Sequence, residues 1–316
     1  MTGLREAHIT GLAPAAADGA AMRLSAADAA SSRRVTAVIA AYHSADVIGD
    51  LLATLPAEMQ VVIVDGSRDP ALAAFAARTG LTIVTPDRNR GFGAAVNAGM
   101  AEVGTEFALV LNPDMLLRPG CVSACVDAAD TVPDAGLLSV AGRGQVDDGV
   151  READWAAGCF MMLRCDAFRS VNGFDDDYFL YSEDRDLGLR LGAAGHRVVT
   201  VGGARAHHVG GQSTGSEHDH TREKLWLRGG GAAVFIDKHR GDRHGAKVRS
   251  RLRSLGLRRY GQALIGRSEE SRAARIRVNG AEAVRRHGPA IMTDNFFTGG
   301  RLRCAQTPAE MRVGEH

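Results

Sequence analysis

Phe107-Ala-Leu-Val-Leu-Asn-Pro-Asp114 joins an apolar run of five residues to three residues that favour turns. The run has the length of a strand, and short apolar runs of this kind alternate with helical stretches along the chain. Another such run, Val-Val-Ile-Val, precedes Asp65 in the same way. This alternation predicts stacked βα units around a mostly parallel sheet flanked by helices, which is an α/β fold.

The predicted elements extend from this stretch in both directions. Towards the amino terminus each strand is followed by a helix, and towards the carboxyl terminus the pattern is less regular. Strands are predicted at residues 35–42, 61–64, 81–84, 107–111, 155–163 and 197–201, and helices at residues 45–55, after the turn at 66–70, after the turn at 89–93 and at residues 183–193.

Three polar segments follow predicted strands. They are Asp65, residues 89–97 and residues 112–114. Ligands of open α/β sheets bind beyond the carboxyl ends of the strands, so we expect these segments to converge on one site.

Each polar segment has a structural alternative to a role in catalysis. Asp114 could hold a hard cation that bridges a diphosphate, but Asn, Pro and Asp are also ordinary turn residues. The glycines after Asn89 would let a ligand approach the backbone, or would simply lead into a helix. One acid of residues 183–186 could be a general base, although acids also suit the start of a helix. His207 and His208 could complete a metal site or lie solvated at the surface.

The composition limits the class of protein. A chain of 316 residues with 45% apolar residues can bury the core of one or two domains. The apolar runs are too short to cross a bilayer, and charges interrupt residues 1–34, which we expect to be a disordered Ala-rich tail. The five scattered cysteines show no zinc pattern, which favours buried free thiols and a reducing, cytoplasmic compartment.

The charge is distributed unevenly along the chain. Residues 238–278 hold 13 Lys or Arg and 3 Asp or Glu, whereas the remainder carries a net charge of −9. A helix around Arg249, Arg251 and Arg253 could lie on an anionic membrane surface or pack, solvated, against the catalytic domain. Nucleic acid is disfavoured because aromatic residues are scarce there and the rest of the chain is acidic.

Several motifs occur in a fixed order between residues 35 and 215. They are Val61-Val-Ile-Val-Asp65-Gly-Ser, Asn89-Arg-Gly-Phe-Gly with Asn97, Leu111-Asn-Pro-Asp114, Gly158-Cys-Phe-Met-Met-Leu-Arg164, Gly173-Phe-Asp-Asp-Asp-Tyr-Phe-Leu-Tyr-Ser-Glu-Asp184-Arg-Asp-Leu187 and His208-Val-Gly-Gly-Gln-Ser213. The ordered set resembles the family 2 glycosyltransferases of the GT-A (nucleotide-diphospho-sugar transferase) fold. It is most similar to the rhamnosyltransferase-like members that build bacterial cell-wall and surface polysaccharides.

The resemblance implies a division of the chain and a role for each motif. Residues 35–228 would be the GT-A catalytic domain, and residues 229–316 a basic, mainly helical C-terminal extension. Asp184 would be the catalytic base, with Glu183 as the alternative, and Asp114 and His208 would hold Mg²⁺ or Mn²⁺. The nucleotide sugar would contact Tyr42, Asp65, Asn89, Gly91, Asn97, Asn112 and Arg190, and the acceptor would contact Trp155, Gly158 and Asp175.

The chemistry that the resemblance implies is an inverting transfer of a sugar to a hydroxyl group. The expected donor is dTDP-L-rhamnose, with UDP- and GDP-linked sugars as the other options. The expected acceptor is a glycan or a prenyl-diphosphate-linked sugar at the inner face of the cell membrane. A sugar-phosphate nucleotidyltransferase would use a similar sheet, but a basic Gly-rich loop is missing after the first strand. A non-catalytic nucleotide-sugar-binding protein of the same fold is the second alternative.

Overall fold

The computed structural model describes residues 26–140, 149–209, 230–232, 234–235 and 238–239. In these ranges the helices are α1 (Ala26–Ser32), α2 (Ile48–Leu52), α3 (Pro70–Thr79), α4 (Phe92–Met100), α5 (Cys121–Thr131), α6 (Cys165–Ser170) and α7 (Glu183–Ala193). The strands are β1 (Val35–Ala41), β2 (Gln60–Asp65), β3 (Thr82–Val84), β4 (Phe107–Leu111), β5 (Met115–Leu117), β6 (Ala135–Val140), β7 (Val150–Glu152), β8 (Phe160–Arg164), β9 (Arg197–Val201) and β10 (Ala206–His208).

An eight-stranded sheet lies at the centre, with the order β3-β2-β1-β4-β8-β6-β9-β7. Strands β3, β2, β1 and β4 are parallel, β8 is antiparallel to both β4 and β6, and β9 is parallel to β6. Strands β5 and β10 form a separate antiparallel pair. The α/β fold with a mostly parallel sheet is therefore confirmed.

Helices cover both faces of the sheet, and this double cover explains why the central strands read as continuous apolar runs. All five residues of β4 are buried, and neighbouring residues of that strand belong to two different hydrophobic clusters. The cluster on one face contains Leu109 together with α2 and α5, and the cluster on the other contains Val110 together with α4 and α7.

Local chain chemistry accounts for the helix boundaries that the sequence predicted well. The Asp69 side chain accepts a hydrogen bond from the Ala71 backbone N–H at 2.9 Å and so caps α3, which begins at Pro70. Gly80 ends that helix in a left-handed conformation with φ of 70°. The predicted helix 183–193 and strand 197–201 have the observed limits of α7 and β9.

Two predicted elements are shorter than expected. The strand predicted at residues 155–163 begins only at Phe160, and before it the Gly158 backbone N–H donates to Asp184 of α7. The helix predicted at residues 45–55 spans only Ile48–Leu52. After it, the backbone N–H groups of residues 54 and 55 donate to the carbonyls three residues earlier, which forms a tighter turn.

The predicted disordered tail of residues 1–34 is wrong for its last part, because residues 26–32 form α1 against α5. Asp28 is buried, and its carboxylate accepts hydrogen bonds from the backbone N–H groups of Gly120 at 2.5 Å and Ser123 at 2.9 Å. These N–H groups belong to the start of α5, which has no side-chain cap of its own. The cap comes from about 90 residues away, so the local composition could not indicate it. Residues 1–25 lie outside the described part of the chain.

We expect Asp28→Ala to lower the free energy of unfolding by about 1–3 kcal/mol, because it leaves two buried N–H donors unpaired. Urea denaturation followed by circular dichroism measures the change. Asp28→Asn keeps one acceptor oxygen and should lose less, while the exposed Asp166→Ala serves as the control and should change little. Equal stability of Asp28→Ala and the wild type would contradict the capping role.

Candidate active site

The parallel strands β1, β2 and β4 end at one edge of the sheet, where the predicted polar segments meet. Ala41 is paired with Asp65, and the backbone N–H of Gly66 donates to the Ala41 carbonyl at 2.9 Å. Strand β1 also pairs with β4, whose last residue precedes Asn112. The expected convergence of Tyr42, Asp65, Asn89 and Asn112 on this edge follows from this register.

Asp65 organises its own turn. It is 1% exposed, and its carboxylate accepts hydrogen bonds from Ser67 N at 2.9 Å, Ser67 Oγ at 2.6 Å and Asp69 N at 2.7 Å. Ser67 Oγ in turn accepts from the backbone N–H of His43 at 3.0 Å. Asp65 therefore supports the loop after β1, and its predicted direct contact with the nucleoside stays a prediction.

Tyr42 is the aromatic side chain that this edge presents to solvent. It is 44% exposed, and its ring meets the His43 ring edge-on with 4.5 Å between centroids. His43 holds a left-handed backbone conformation, with φ of 47°, in the loop that Ser67 supports. An exposed ring in a fixed loop is suited to stacking against a nucleobase.

Asn89 and Gly91 join the turn after β3 to the segment before α7. The Asn89 side-chain oxygen accepts from the Gly91 backbone N–H at 2.9 Å. Gly91 has φ of 100°, and a Cβ atom there would lie 1.9 Å from the Phe179 carbonyl oxygen. Since Phe92 N also donates to that oxygen at 3.0 Å, the glycine permits a backbone contact that any side chain would block.

Asn97 and Arg190 hold the loop that leads to α7. The Asn97 side chain donates to the Phe174 carbonyl at 2.8 Å and accepts from the Phe174 N–H at 2.9 Å. Arg190 Nη1 donates to the carbonyls of Val171 at 2.7 Å and Gly173 at 2.6 Å. All these partners lie within the protein, so the predicted contacts of Asn97 and Arg190 with the nucleotide stay predictions.

Asp114 and His208 lie side by side because β5 pairs with β10. His208 is in register with Met115, and its Nε2 lies 3.0 Å from Oδ1 of Asp114. Asp114 is 5% exposed, whereas His208 is half-exposed. The Asp114 carboxylate raises the pKa of His208 to about 10, with a smaller contribution from Cys159. His207 is in register with Leu116 and therefore points to the other face of the ribbon.

This pair fits a divalent cation whose remaining ligands come from a substrate. A carboxylate oxygen and an imidazole nitrogen are ligands of Mn²⁺, and Mg²⁺ at phosphate sites uses one or two carboxylates with substrate oxygens. Within the described residues, no group of three His, Cys, Asp or Glu side chains forms a complete metal cage.

Three carboxyl groups lie in the first turn of α7, and each has a different environment. Glu183 is 4% exposed, and its Oε2 has no hydrogen-bond partner in the described part of the chain. Burial, together with the charge of Asp184, raises the pKa of Glu183 well above its usual range. This environment favours the protonated form of Glu183 and disfavours it as a base.

Asp184 is better placed to be ionised. Its Oδ1 accepts from the Arg185 backbone N–H at 2.8 Å and its Oδ2 from the Gly158 N–H at 3.2 Å. Burial raises the pKa of Asp184, but these two N–H groups oppose the shift. The environment thus favours the ionised form more in Asp184 than in Glu183, and the role of Asp184 as the base stays a prediction.

The predicted acceptor residues do not all lie together. The Gly158 backbone N–H donates directly to Asp184. Trp155 packs against Arg185, the residue after Asp184, with the Arg185 guanidinium carbon 4.7 Å from the centroid of the Trp155 ring. Asp175 differs, because its carboxylate pairs with Lys238 and accepts from the Asp177 N–H. A role of Asp175 in acceptor binding stays a prediction, and its described contacts are internal.

The carboxyl group of Asp186 lies beside the site and was given no role from the sequence. Asp186 is completely buried and is surrounded by Arg190, Lys238, His239 and Tyr178. Residues 183–186 hold more acids than a helix start needs, and this excess indicated that Asp186 has a further role. Its partners lie up to 53 residues away and belong to the predicted extension, so that signal was incomplete.

The eight-stranded sheet with helices on both faces is the GT-A fold, the fold of nucleotide-diphospho-sugar transferases. A mannosyltransferase from Pyrobaculum calidifontis, solved in complex with GDP-Man and Mn²⁺, matches with a TM-score of 0.53 at 17% identity, over 84% of this chain and 83% of that chain. At this identity the likeness shows the fold.

Residues 36–184 match the model of glycosyl transferase family 2, so this part of the chain is a domain of that family. An N-acetylglucosaminyl-diphospho-decaprenol L-rhamnosyltransferase of Mycobacterium tuberculosis is 29% identical over 59% of this chain and 76% of the relative. The rhamnosyltransferase WbbL of Escherichia coli is 53% identical over 17% of this chain and 21% of the relative. The predicted family and its rhamnosyltransferase-like character are confirmed.

We expect Glu183→Gln to be more stable than the wild type at neutral pH. The folded state binds the Glu183 proton more tightly than the unfolded state, so wild-type stability falls as the pH rises above about 4.5. The neutral amide removes this loss and should therefore raise the free energy of unfolding at neutral pH. Urea denaturation between pH 4 and pH 8 measures the difference.

The gain should disappear below about pH 4.5, where the wild-type carboxyl is protonated in both states. Glu102→Gln, at an exposed position, is the matched control and should show no such gain. Parallel stability curves for Glu183→Gln and the wild type would show that Glu183 is not in the dry environment described above.

Proposed function

We propose that the chain is an inverting rhamnosyltransferase that moves L-rhamnose from dTDP-L-rhamnose to a hydroxyl of a prenyl-diphosphate-linked glycan in cell-wall or surface polysaccharide synthesis. The observation that supports this reaction is a pair of hydrogen bonds formed by the backbone of two consecutive residues. Gly158 N donates to Asp184, and the adjacent Cys159 carbonyl accepts from the Asn112 N–H at 3.0 Å. Two consecutive residues thus join the base to the turn that carries Asp114.

The sugar and the acceptor are supported by the relatives. The Mycobacterium tuberculosis relative is named as a rhamnosyltransferase acting on N-acetylglucosaminyl-diphospho-decaprenol, and the Escherichia coli relative is named as a rhamnosyltransferase. Both names favour transfer over the nucleotidyltransferase alternative. The ionisable base and the Asp114–His208 pair likewise disfavour a non-catalytic binding protein.

The reaction proceeds in one displacement. The acceptor hydroxyl gives its proton to Asp184 while its oxygen forms a bond to the anomeric carbon. The bond between that carbon and the diphosphate breaks on the opposite face, and the nucleoside diphosphate leaves with its electron pair. The backbone N–H groups of Arg185 and Gly158 orient the Asp184 carboxylate towards the hydroxyl.

The remaining site residues bind the donor. Asp114 and His208 would hold Mg²⁺ or Mn²⁺, which supplies charge neutralisation to the leaving diphosphate when it is bound. Tyr42 would stack on the nucleobase, in a loop that Asp65 and Ser67 support. The acceptor would approach past Trp155 and Gly158.

A prenyl-linked acceptor places the enzyme at a membrane surface, and we propose the inner face of the cell membrane. None of the helices in the described ranges reaches the length and apolarity that a membrane span requires. The basic residues Arg249, Arg251 and Arg253, which were predicted to contact anionic lipid, lie outside those ranges. Their contact with lipid stays a prediction.

Asp184→Asn should lower the rate of rhamnosyl transfer by about 10²–10⁴-fold, because it removes the proton acceptor and keeps the size of the side chain. Transfer from dTDP-L-rhamnose to N-acetylglucosaminyl-diphospho-prenol, followed by mass spectrometry, measures the rate. The exposed Asp127→Asn is the control and should keep wild-type activity. A folded Asp184→Asn variant with full activity would remove Asp184 from the mechanism.

A thermal-shift screen of nucleotide sugars tests the donor and the metal together. At about 100 times its Kd, a ligand stabilises by about 2.7 kcal/mol, so dTDP-L-rhamnose with Mn²⁺ should raise the Tm by roughly 5–10 °C. Asp114→Asn should lose the increment that depends on Mn²⁺. A response to UDP- or GDP-sugars alone would replace the proposed donor, and an equal response of Asp114→Asn with Mn²⁺ would contradict the metal site.

A further inference from the structure

Two glycines contact the backbone of the segment just before Asp184. Gly91 contacts the Phe179 carbonyl, and Gly231 contacts the Tyr181 carbonyl. A Cβ atom at either glycine would lie 1.9 Å from the carbonyl oxygen. Gly231 belongs to the helical residues beyond 229, so part of the predicted extension is packed against the active-site turn.

Two side chains from the same helical segment bind the first turn of α7. Lys238 Nζ lies 2.8 Å from Oδ1 of Asp186, and His239 Nε2 lies 2.6 Å from the same oxygen. Arg190 Nε approaches the other oxygen at 2.7 Å. Burial alone would raise the pKa of Asp186, but these partners hold it well below its usual range. The carboxylate is therefore ionised and fixed by neighbouring charges inside the protein.

The start of α7 needs support from outside the helix. Tyr181 and Ser182 both have φ of 71°, a conformation that residues with a side chain rarely adopt. Ser182 at the helix start forms no side-chain cap hydrogen bond. Such a segment keeps its shape only when neighbouring structure holds it, and Gly231, Lys238 and His239 supply part of this contact.

The spacing between Asp184 and Asp186 couples this support to catalysis. Residues two apart on an α-helix point about 200° away from each other, because each residue turns the helix by about 100°. Asp186 points towards the helical segment, and Asp184 therefore points away from it, towards Gly158. Fixing Asp186 on one side of the helix fixes the direction of Asp184 on the other.

We propose that Gly231, Lys238 and His239 are positioning residues, which hold the first turn of α7 so that Asp184 faces the acceptor. The proposal rests on the proposed role of Asp184 as the base. It assigns these three residues to the catalytic unit, although they lie beyond the match to the family model, which ends at residue 184. In this arrangement the three residues touch neither donor nor acceptor.

Hydrogen exchange tests the positioning directly and needs no substrate. In Lys238→Met and in Gly231→Ala, amides of residues 182–186 should exchange at least tenfold faster than in the full-length wild type. Amides of α5 should exchange at the wild-type rate, because α5 belongs to the opposite face of the sheet. Lys238→Arg keeps the cation and should restore protection. Unchanged exchange at residues 182–186 in both disrupting variants would overturn the proposal.

Kinetics separates positioning from a general loss of stability. Each variant is assayed well below its own Tm, with dTDP-L-rhamnose and N-acetylglucosaminyl-diphospho-prenol. Lys238→Met should lower kcat at least tenfold with the KM for the donor within twofold of wild type, and Lys238→Arg should recover most of kcat. Arg169→Met removes a surface ion pair with Asp166 and is the matched control, with kcat expected to be unchanged.

The outcomes distinguish this proposal from the proposed function. If the wild type transfers nothing from dTDP-L-rhamnose, the donor assignment fails, while the exchange result still decides the positioning. If kcat of both Lys238→Met and Gly231→Ala stays within twofold of wild type, the segment is only structural and the positioning role is overturned. Should Lys238→Met fail to fold, Gly231→Ala and His239→Asn give the same decision.

Discussion

Strand β8 runs antiparallel to β4, and this reversal of direction decides which residues reach the edge where the site lies. In the antiparallel register Leu111 is opposite Phe160, so the beginning of β8 lies beside the end of β4. A parallel strand would bring its own end to that edge. Because of the reversal, Trp155 to Cys159 enter the edge before the strand begins, and they contact both Asn112 and Asp184. The turn at residues 112–114 and the start of α7 are joined in this way.

The carboxyl groups at the start of α7 show how one helical turn can give the same chemical group three different properties. Glu183 is dry and lacks a partner for Oε2 among the described residues, Asp184 accepts from two backbone N–H groups, and Asp186 is surrounded by cations. Burial disfavours the charged form in all three, two backbone N–H groups oppose this at Asp184, and cations reverse it at Asp186. The ease with which each carboxyl ionises therefore depends on what it contacts.

The parts of this fold that could be predicted are those that local chemistry determines. The apolar run 107–111, the Asp69 cap with Pro70, and the limits of α7 all depend on residues close together in the chain. The prediction of the site also depended on the order of the motifs along the chain. Taken alone, neither the turn at residues 112–114 nor the acids at residues 183–186 outweigh their structural alternatives. What could not be predicted are contacts between distant segments. Three such contacts join residues more than 50 positions apart: that of Asp28 with α5, that of Gly91 with Phe179 and that of Lys238 with Asp186.

The contacts of Asp186 also limit how this protein can be divided. A chain that ended at residue 228 would leave this buried carboxylate with Arg190 and Tyr178 and without its other two partners. Removing partners of a buried ion pair costs about 3–5 kcal/mol, a large part of the stability of an average domain. A division at residue 228, which the resemblance implies, would therefore separate Asp186 from Lys238 and His239. Exchange of carboxyl-terminal segments between related enzymes would have to carry residues 230–239 with the catalytic helix, so the two are expected to be inherited and engineered as one unit.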